Sequence, residues 1–261
     1  MQDLVLVFAG FFVGVVVGLT GVGGGSLMTP LLIFGFGIQP VLAIGTDLLF
    51  AAITKLGGSV ALARARLIDW TVVAQLAAGS VPASVLTLWL IQHMGPADAL
   101  TQKLMTFTLG VALLLTAAAT LYKAVVDRPL VRAHSPVPTP TTPRHWALPL
   151  VMGGVIGVLV TLTSVGAGAI GVLALMLLYP ALPLRRVVAA DIAHAVPLTL
   201  VAGLGHAAIG TVNWPLLATL LVGSLPGIWL GTRLANKAPD RLVRSLLSLL
   251  LAYAGVKLVA L

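Results

Sequence analysis

Apolar residues run through this chain in long blocks that stop at turn residues or charges and then resume. A helix crossing the hydrocarbon core of a bilayer needs about 20 such residues. The blocks predict about ten helical segments, near residues 4–20, 26–36, 41–62, 71–91, 100–123, 147–162, 169–178, 187–204, 215–234 and 243–260. Two of them, 26–36 and 169–178, have only about half the crossing length. The first follows Gly21-Val22-Gly23-Gly24-Gly25 and the second follows Ser164-Val165-Gly166-Ala167-Gly168. Short segments behind glycine-rich stretches predict helices that break or re-enter inside the membrane. The expected fold class is an all-α integral membrane protein.

Composition agrees with a lipid solvent. Apolar residues make up 59% of the 261, charged residues 8%, and mean hydropathy is +1.10. A soluble domain carries roughly a quarter charged residues. All seven acidic residues are Asp and Glu is absent, which leaves little amphipathic helix to face water. Cysteine is absent too, so disulfides and thiolate metal sites are excluded. The net charge of +8 is spread singly and in pairs between apolar blocks, as in membrane loops, and does not form a nucleic-acid surface. Residues 1–10 hold Asp3 and no basic residue, so they lack the basic region of a signal peptide and read as part of a mature span.

The basic residues also orient the chain. With loops numbered alternately from an outside N-terminus, one set holds Arg64, Arg66, Lys123, Arg128, Arg132, Arg144, Arg185, Arg186, Arg233, Lys237, Arg241 and Arg244, twelve of the fifteen. Lys103 and Lys257 fall in the other set, and Lys55 lies inside a span. The positive-inside rule then places both termini outside, periplasmic in a bacterial inner membrane.

The chain is a duplication. Gly21-Val22-Gly23-Gly24-Gly25 aligns with Ser164-Val165-Gly166-Ala167-Gly168 at a shift of 143. Asp47 with Asp191, Trp70 with Trp214, Gly79 with Gly223 and Pro82 with Pro226 follow at a shift of 144. Each half holds five segments, or three crossings with a hairpin. Both counts are odd, so the second half is expected to be inverted relative to the first. This predicts a first repeat over 1–124, a Pro-rich cytoplasmic linker over 125–146 and a second, inverted repeat over 147–261.

The run Gly18-Leu19-Thr20-Gly21-Val22-Gly23-Gly24-Gly25-Ser26, the later Gly45-Thr46-Asp47 and the weaker second-half copy resemble the TauE/SafE sulfite exporters, also called 4-toluene sulfonate uptake permeases. The resemblance runs from about residue 4 to residue 261. It implies a secondary transporter of sulfur-containing anions such as sulfite, organosulfonates or related oxyanions.

The residues themselves point to an anion site. Successive backbone N–H groups of a glycine stretch converge on one point, and a helix N-terminus adds partial positive charge, which suits an oxyanion. Gly21, Gly23, Gly24, Gly25, Gly166, Ala167 and Gly168 would supply backbone, and Thr20, Ser26, Thr163 and Ser164 would supply hydroxyl donors. Close helix packing is the competing role for glycine, and the expected one for Gly10, Gly14 and Gly153, which sit in GxxxG steps. Alanine at Gly14 should then be mild for flux, whereas valine at Gly24 should eliminate it.

Asp47 and Asp191 are ionisable groups within spans, a functional position by default. An anion site repels carboxylates. With Thr46 and His194, they therefore read as coupling or structural polar groups that cap a segment start, pair with Lys55 or carry protons. Lys55 is the counter-charge of the substrate, the partner of Asp47, or a side chain that snorkels along Ile53–Leu56. His194 shares a helix face with Asp191, and no third ligand accompanies them, so neither a metal nor a cofactor is expected. His206 is expected at the membrane interface.

Three function classes compete. Inversion and paired broken segments favour a secondary transporter that binds a small anion at the midplane between the repeats and works by alternating access. An intramembrane enzyme would need Ser26 or Ser164 beside His194; no nucleophile-elbow motif is present, and no catalytic residue is assigned. A non-transporting scaffold is opposed by the polar glycine segments. Among partners, the anion and membrane lipid are expected, while proton or cation coupling and a homodimer stay open.

Orientation is testable with Thr139→Cys and Leu261→Cys, in a chain that has no cysteine of its own. An impermeant thiol reagent on intact cells is expected to label the Leu261 position and spare the Thr139 position. The reverse pattern would invert the topology.

Overall fold

A computed structural model of the chain describes residues 2–20, 25–96, 98–126, 147–234 and 240–260, with backbone alone for 2, 3, 20, 25, 123–126, 240 and 241. The described residues form ten helices: α1 (Gln2–Thr20), α2 (Gly25–Phe36), α3 (Pro40–Arg64), α4 (Trp70–Met94), α5 (Ala99–Val126), α6 (Ala147–Thr163), α7 (Ala169–Leu178), α8 (Leu184–Ala208), α9 (Trp214–Leu234) and α10 (Asp240–Val259). Six of these, α3, α4, α5, α8, α9 and α10, are long and apolar enough to cross a membrane. Every expected segment is a helix, and α3 and α8 extend past their expected ends to take in Arg64, Arg185 and Arg186. The expected linker lies outside the described residues from 127 to 146.

Helix ends follow local chemistry. Pro40 opens α3, where its missing N–H and fixed φ cost nothing. The Asp69 carboxylate caps α4 by accepting from the backbone of Thr71 at 3.2 Å and Val72 at 3.4 Å. Trp70 and Trp89 stand well exposed near the two ends of α4, as Trp214 and Trp229 do on α9. Nineteen residues separate the α4 pair, about 29 Å at 1.5 Å per residue, the thickness of a hydrocarbon core. Arg233 lies 3.6 Å over the Trp229 ring, as an interfacial anchor does.

Packing is built on small residues. In lipid, apolar surfaces gain nothing by leaving the solvent, so helices associate through close contact, which glycine permits. Gly10, Gly14 and Gly18 of α1 lie against the backbone of Leu220, Ser224 and Ile228 of α9, and the matched spacing makes the two helices parallel. Gly223, Gly227 and Gly231 of α9 return the contact onto Val7, Phe11 and Val15. Gly153 and Gly157 of α6 pack likewise on Leu76 and Ser80 of α4, also parallel. The other two close pairs run antiparallel. Gly203 of α8 meets Leu49 while Ile192 meets Gly58, and Gly255 of α10 meets Gly110 while Ser248 Oγ donates to the Ala117 carbonyl.

This corrects one expectation. A methyl group on Gly14 would strike the Ser224 backbone, which has no flexible side chain to yield, so Gly14→Ala is disruptive rather than mild. Overpacking typically costs about 1–3 kcal/mol. Gly14→Ala and Gly157→Ala are expected to lower the thermal midpoint in detergent by several degrees. Gly57→Ala, where nothing stands within 4 Å of the added methyl, should leave it unchanged or slightly raised.

Candidate functional site

α3 and α8 cross at the centre of the bundle. At 1.5 Å per residue α3 is about 36 Å long, and Asp47 and Lys55 fall on either side of its midpoint at Ala52. Residues 43–52 are buried without interruption, so this stretch is enclosed by protein on every face. Neither Asp47 nor Asp191 caps its helix. Each sits about two turns inside, where the expectation of a capping role fails.

The second glycine stretch is an unwound break between α6 and α7. Ser164 turns left-handed at φ 59° and ends α6, and Gly166 and Gly168 both take φ 133°, a region that a side chain opposes. The Thr163 hydroxyl is used locally: it accepts from Val165 N at 3.1 Å and donates to Val165 O. It is therefore no free donor. α7 is then only ten residues long, about 15 Å, and starts inside the bundle.

Polar groups from four elements meet here. Lys55 Nζ donates to the carbonyl of Ala167 in the break at 3.3 Å. The charges of Asp47 and Asp191 both act on this ammonium. Thr29 of α2 donates to Asp47 Oδ2 at 2.5 Å. Asp47 Oδ1 is buried without a hydrogen-bond partner, as are the Ser26 and Ser164 hydroxyls. Ser164 approaches the Asp47 carboxylate without completing a bond to it. Ser26 stands one turn before Thr29 and shares its face of α2. Asp191 packs on Gly171 in the first turn of α7, where an added methyl would collide with the carboxylate. The positive end of that half-helix is thus already faced by a negative group.

The remaining expected residues fall elsewhere. Gly21, Gly23 and Gly24 lie outside the described residues, as does the side chain of Thr20, and the backbone of Gly25 opens α2. Thr46 Oγ1 accepts from Asn213 N at 3.0 Å and ties α3 to the start of α9. His194 Nε2 is 2.8 Å from Ser80 Oγ, so its serine partner is neither Ser26 nor Ser164. His206 is fully buried, not interfacial, and bridges Thr211 Oγ1 at 2.8 Å and the Thr161 carbonyl at 3.0 Å. Its imidazole has polar partners on both nitrogens, which offsets the cost of leaving water.

Thr29, Ser80 and Gly171 were missed in the sequence. Thr29 had a signal, a second hydroxyl one turn after Ser26 in an otherwise apolar half-helix. Gly171 and Ser80 had none, because their partners are 20 and 114 residues away. Thr29→Val leaves Asp47 Oδ2 without its hydroxyl donor and should cost about 1–3 kcal/mol. That loss would appear as a lower thermal midpoint, with Thr29→Ser recovering most of it.

An apolar bundle that holds charge and unwound backbone at its centre, where lipid offers no hydrogen bonds, is built as a membrane transporter is built. Residues 6–258 match the family model described as Sulfite exporter TauE/SafE. The chain is 36% identical to "Probable membrane transporter protein YjnA" of Bacillus subtilis (strain 168), over 97% of this chain and 98% of that protein. "Probable membrane transporter protein YdhB" of the same organism is 26% identical, over 98% and 99% of the two chains. "Probable membrane transporter protein YunE", also from that organism, is 25% identical over 99% and 98%. No solved structure matches the chain. The chain belongs to the TauE/SafE sulfite exporter family and is a multi-pass membrane transporter.

Proposed function

We propose that this protein is a secondary transporter of small sulfur-containing anions, sulfite, an organosulfonate or a related oxyanion, that binds its substrate between two inverted repeats and works by alternating access. The observation that carries the reading is Lys55, a lone basic side chain deep in α3, whose ammonium reaches the unwound Ala167 carbonyl. Unsatisfied hydroxyls at Ser26, on the α2 face whose Thr29 holds Asp47, and at Ser164 in the break support a ligand-ready cluster.

Helix directions support inversion. α3 and α8 occupy equivalent places in the two halves and run antiparallel, and α5 and α10 do the same. The α1–α9 and α6–α4 pairs exchange partners between the halves in matching fashion, as a two-fold axis in the membrane plane requires. On this reading 1–124 and 147–261 are the repeats, 125–146 is a cytoplasmic tether, and the protein lies in a bacterial inner membrane with both termini periplasmic.

The test is flux into proteoliposomes with a panel of labelled sulfite, thiosulfate and sulfonates. Wild type is expected to carry at least one of them. Lys55→Met should abolish that flux with normal expression, and Lys55→Arg should keep part. Truncating one partner of a buried charge pair costs about 2–5 kcal/mol, upwards of about thirtyfold in affinity. Normal transport by Lys55→Met would remove Lys55 from the site.

A further inference from the structure

We propose that the anion moves together with a proton, and that Asp47 is the residue that carries it. The inference rests on the anion site proposed above and names its coupling partner. Its starting point is charge. Two carboxylates, Asp47 and Asp191, act on one ammonium, Lys55, so the centre is one negative charge in excess when both acids are ionised. Among the described residues, the other titratable groups facing this part of α3 are His194 and His206, both on α8. Each is already held by a hydroxyl or a carbonyl. α2, α6 and α7 present no titratable group, and Lys103 of α5 and Arg233 of α9 stand at helix ends. A substrate anion entering this centre would meet net repulsion in a low-dielectric surrounding.

The helix ends make the same demand. The N-terminal turn of α7 is faced by Asp191, and the first turns of α2 by Asp47 through Thr29. An oxyanion can use such positive ends only when a carboxylate gives up its charge. The two acids are not equivalent in this respect. Asp191 is engaged, whereas Asp47 Oδ1 is buried and unbonded. A proton on Oδ1 would be donated to Ser164 Oγ, itself unpartnered, while Thr29 keeps Oδ2. With Ser164 Oγ drawn onto that proton, the neutral acid is bonded on both oxygens. Lys55 and the break backbone are left to face the anion. A metal cation fits less well than a proton, because Lys55 already holds the Ala167 carbonyl and repels a second positive charge. The proton enters with the anion from one side and leaves with it on the other.

Isothermal titration calorimetry of the full chain in detergent tests this. Thiosulfate and methanesulfonate are the probes, since neither titrates near neutral pH. Runs in two buffers of different ionisation heat count protons. Uptake of about one proton per anion is expected, with affinity falling about tenfold per pH unit on the alkaline side, where Asp47 must be protonated to bind. Asp47→Asn, permanently neutral, should bind the anion without proton uptake and without that pH dependence. Thr29→Val, which withdraws a donor from the carboxylate, should move the pH profile upward even if Asp47→Asn fails to fold. Binding by the wild type without proton uptake, a requirement for sodium, or an unmoved profile in Thr29→Val would overturn the proposal and spare the anion site. Binding of neither probe, together with no flux of any panel anion, would overturn both.

Discussion

The hydrocarbon core of a membrane supplies no hydrogen bonds, so each polar group held there must find its partner in the protein. The contact between Lys55 Nζ and the Ala167 carbonyl is where this constraint acts most directly. An unwound peptide at membrane depth needs a donor, and a half-buried ammonium needs acceptors and negative charge. Each solves part of the problem of the other, with Asp47 and Asp191 completing the balance. The Val165, Gly166 and Gly168 carbonyls of the break find donors in Thr163 and the first turn of α7, and the Ala167 carbonyl takes its donor from Lys55.

The same solvent explains the frame around the site. Apolar faces gain nothing from pairing in lipid, so the outer helix pairs are held by backbone brought close at glycine. The α1–α9 and α4–α6 contacts leave no room for a methyl group at Gly14 or Gly157. The central α3–α8 pair, which carries the charged groups, is framed by them and by the two half-helices. A structure of rigid glycine-locked pairs around a polar centre suits transport better than a scaffold, which has no use for buried unsatisfied hydroxyls.

Much of this architecture was legible in the chain. Apolar blocks located all ten helices of the described residues, and for six of them the length follows from membrane thickness, a constraint independent of sequence neighbours. The second break was legible at Ser164-Val165-Gly166-Ala167-Gly168, because only glycine tolerates the backbone that Gly166 and Gly168 adopt. Lys55, Asp47 and Asp191 stood out as charges within apolar runs. Family membership followed from the same motifs.

What tertiary structure decided was partnership. Nothing local joins Lys55 to Ala167, 112 residues later, or Ser80 to His194, 114 residues later. Nor does sequence spacing reveal that Thr163 spends its hydroxyl on its own turn while Ser164 keeps one unbonded. His206 looked interfacial near the end of its segment, yet helix packing buries it against Thr161 and Thr211. Gly14 read as replaceable because its spacing identifies a packing face but not how closely the facing backbone of Ser224 approaches. Thickness and backbone propensity act along the chain and are written in it. Which hydrogen-bonding groups face one another depends on how helices cross, and that is fixed only when all of them are packed.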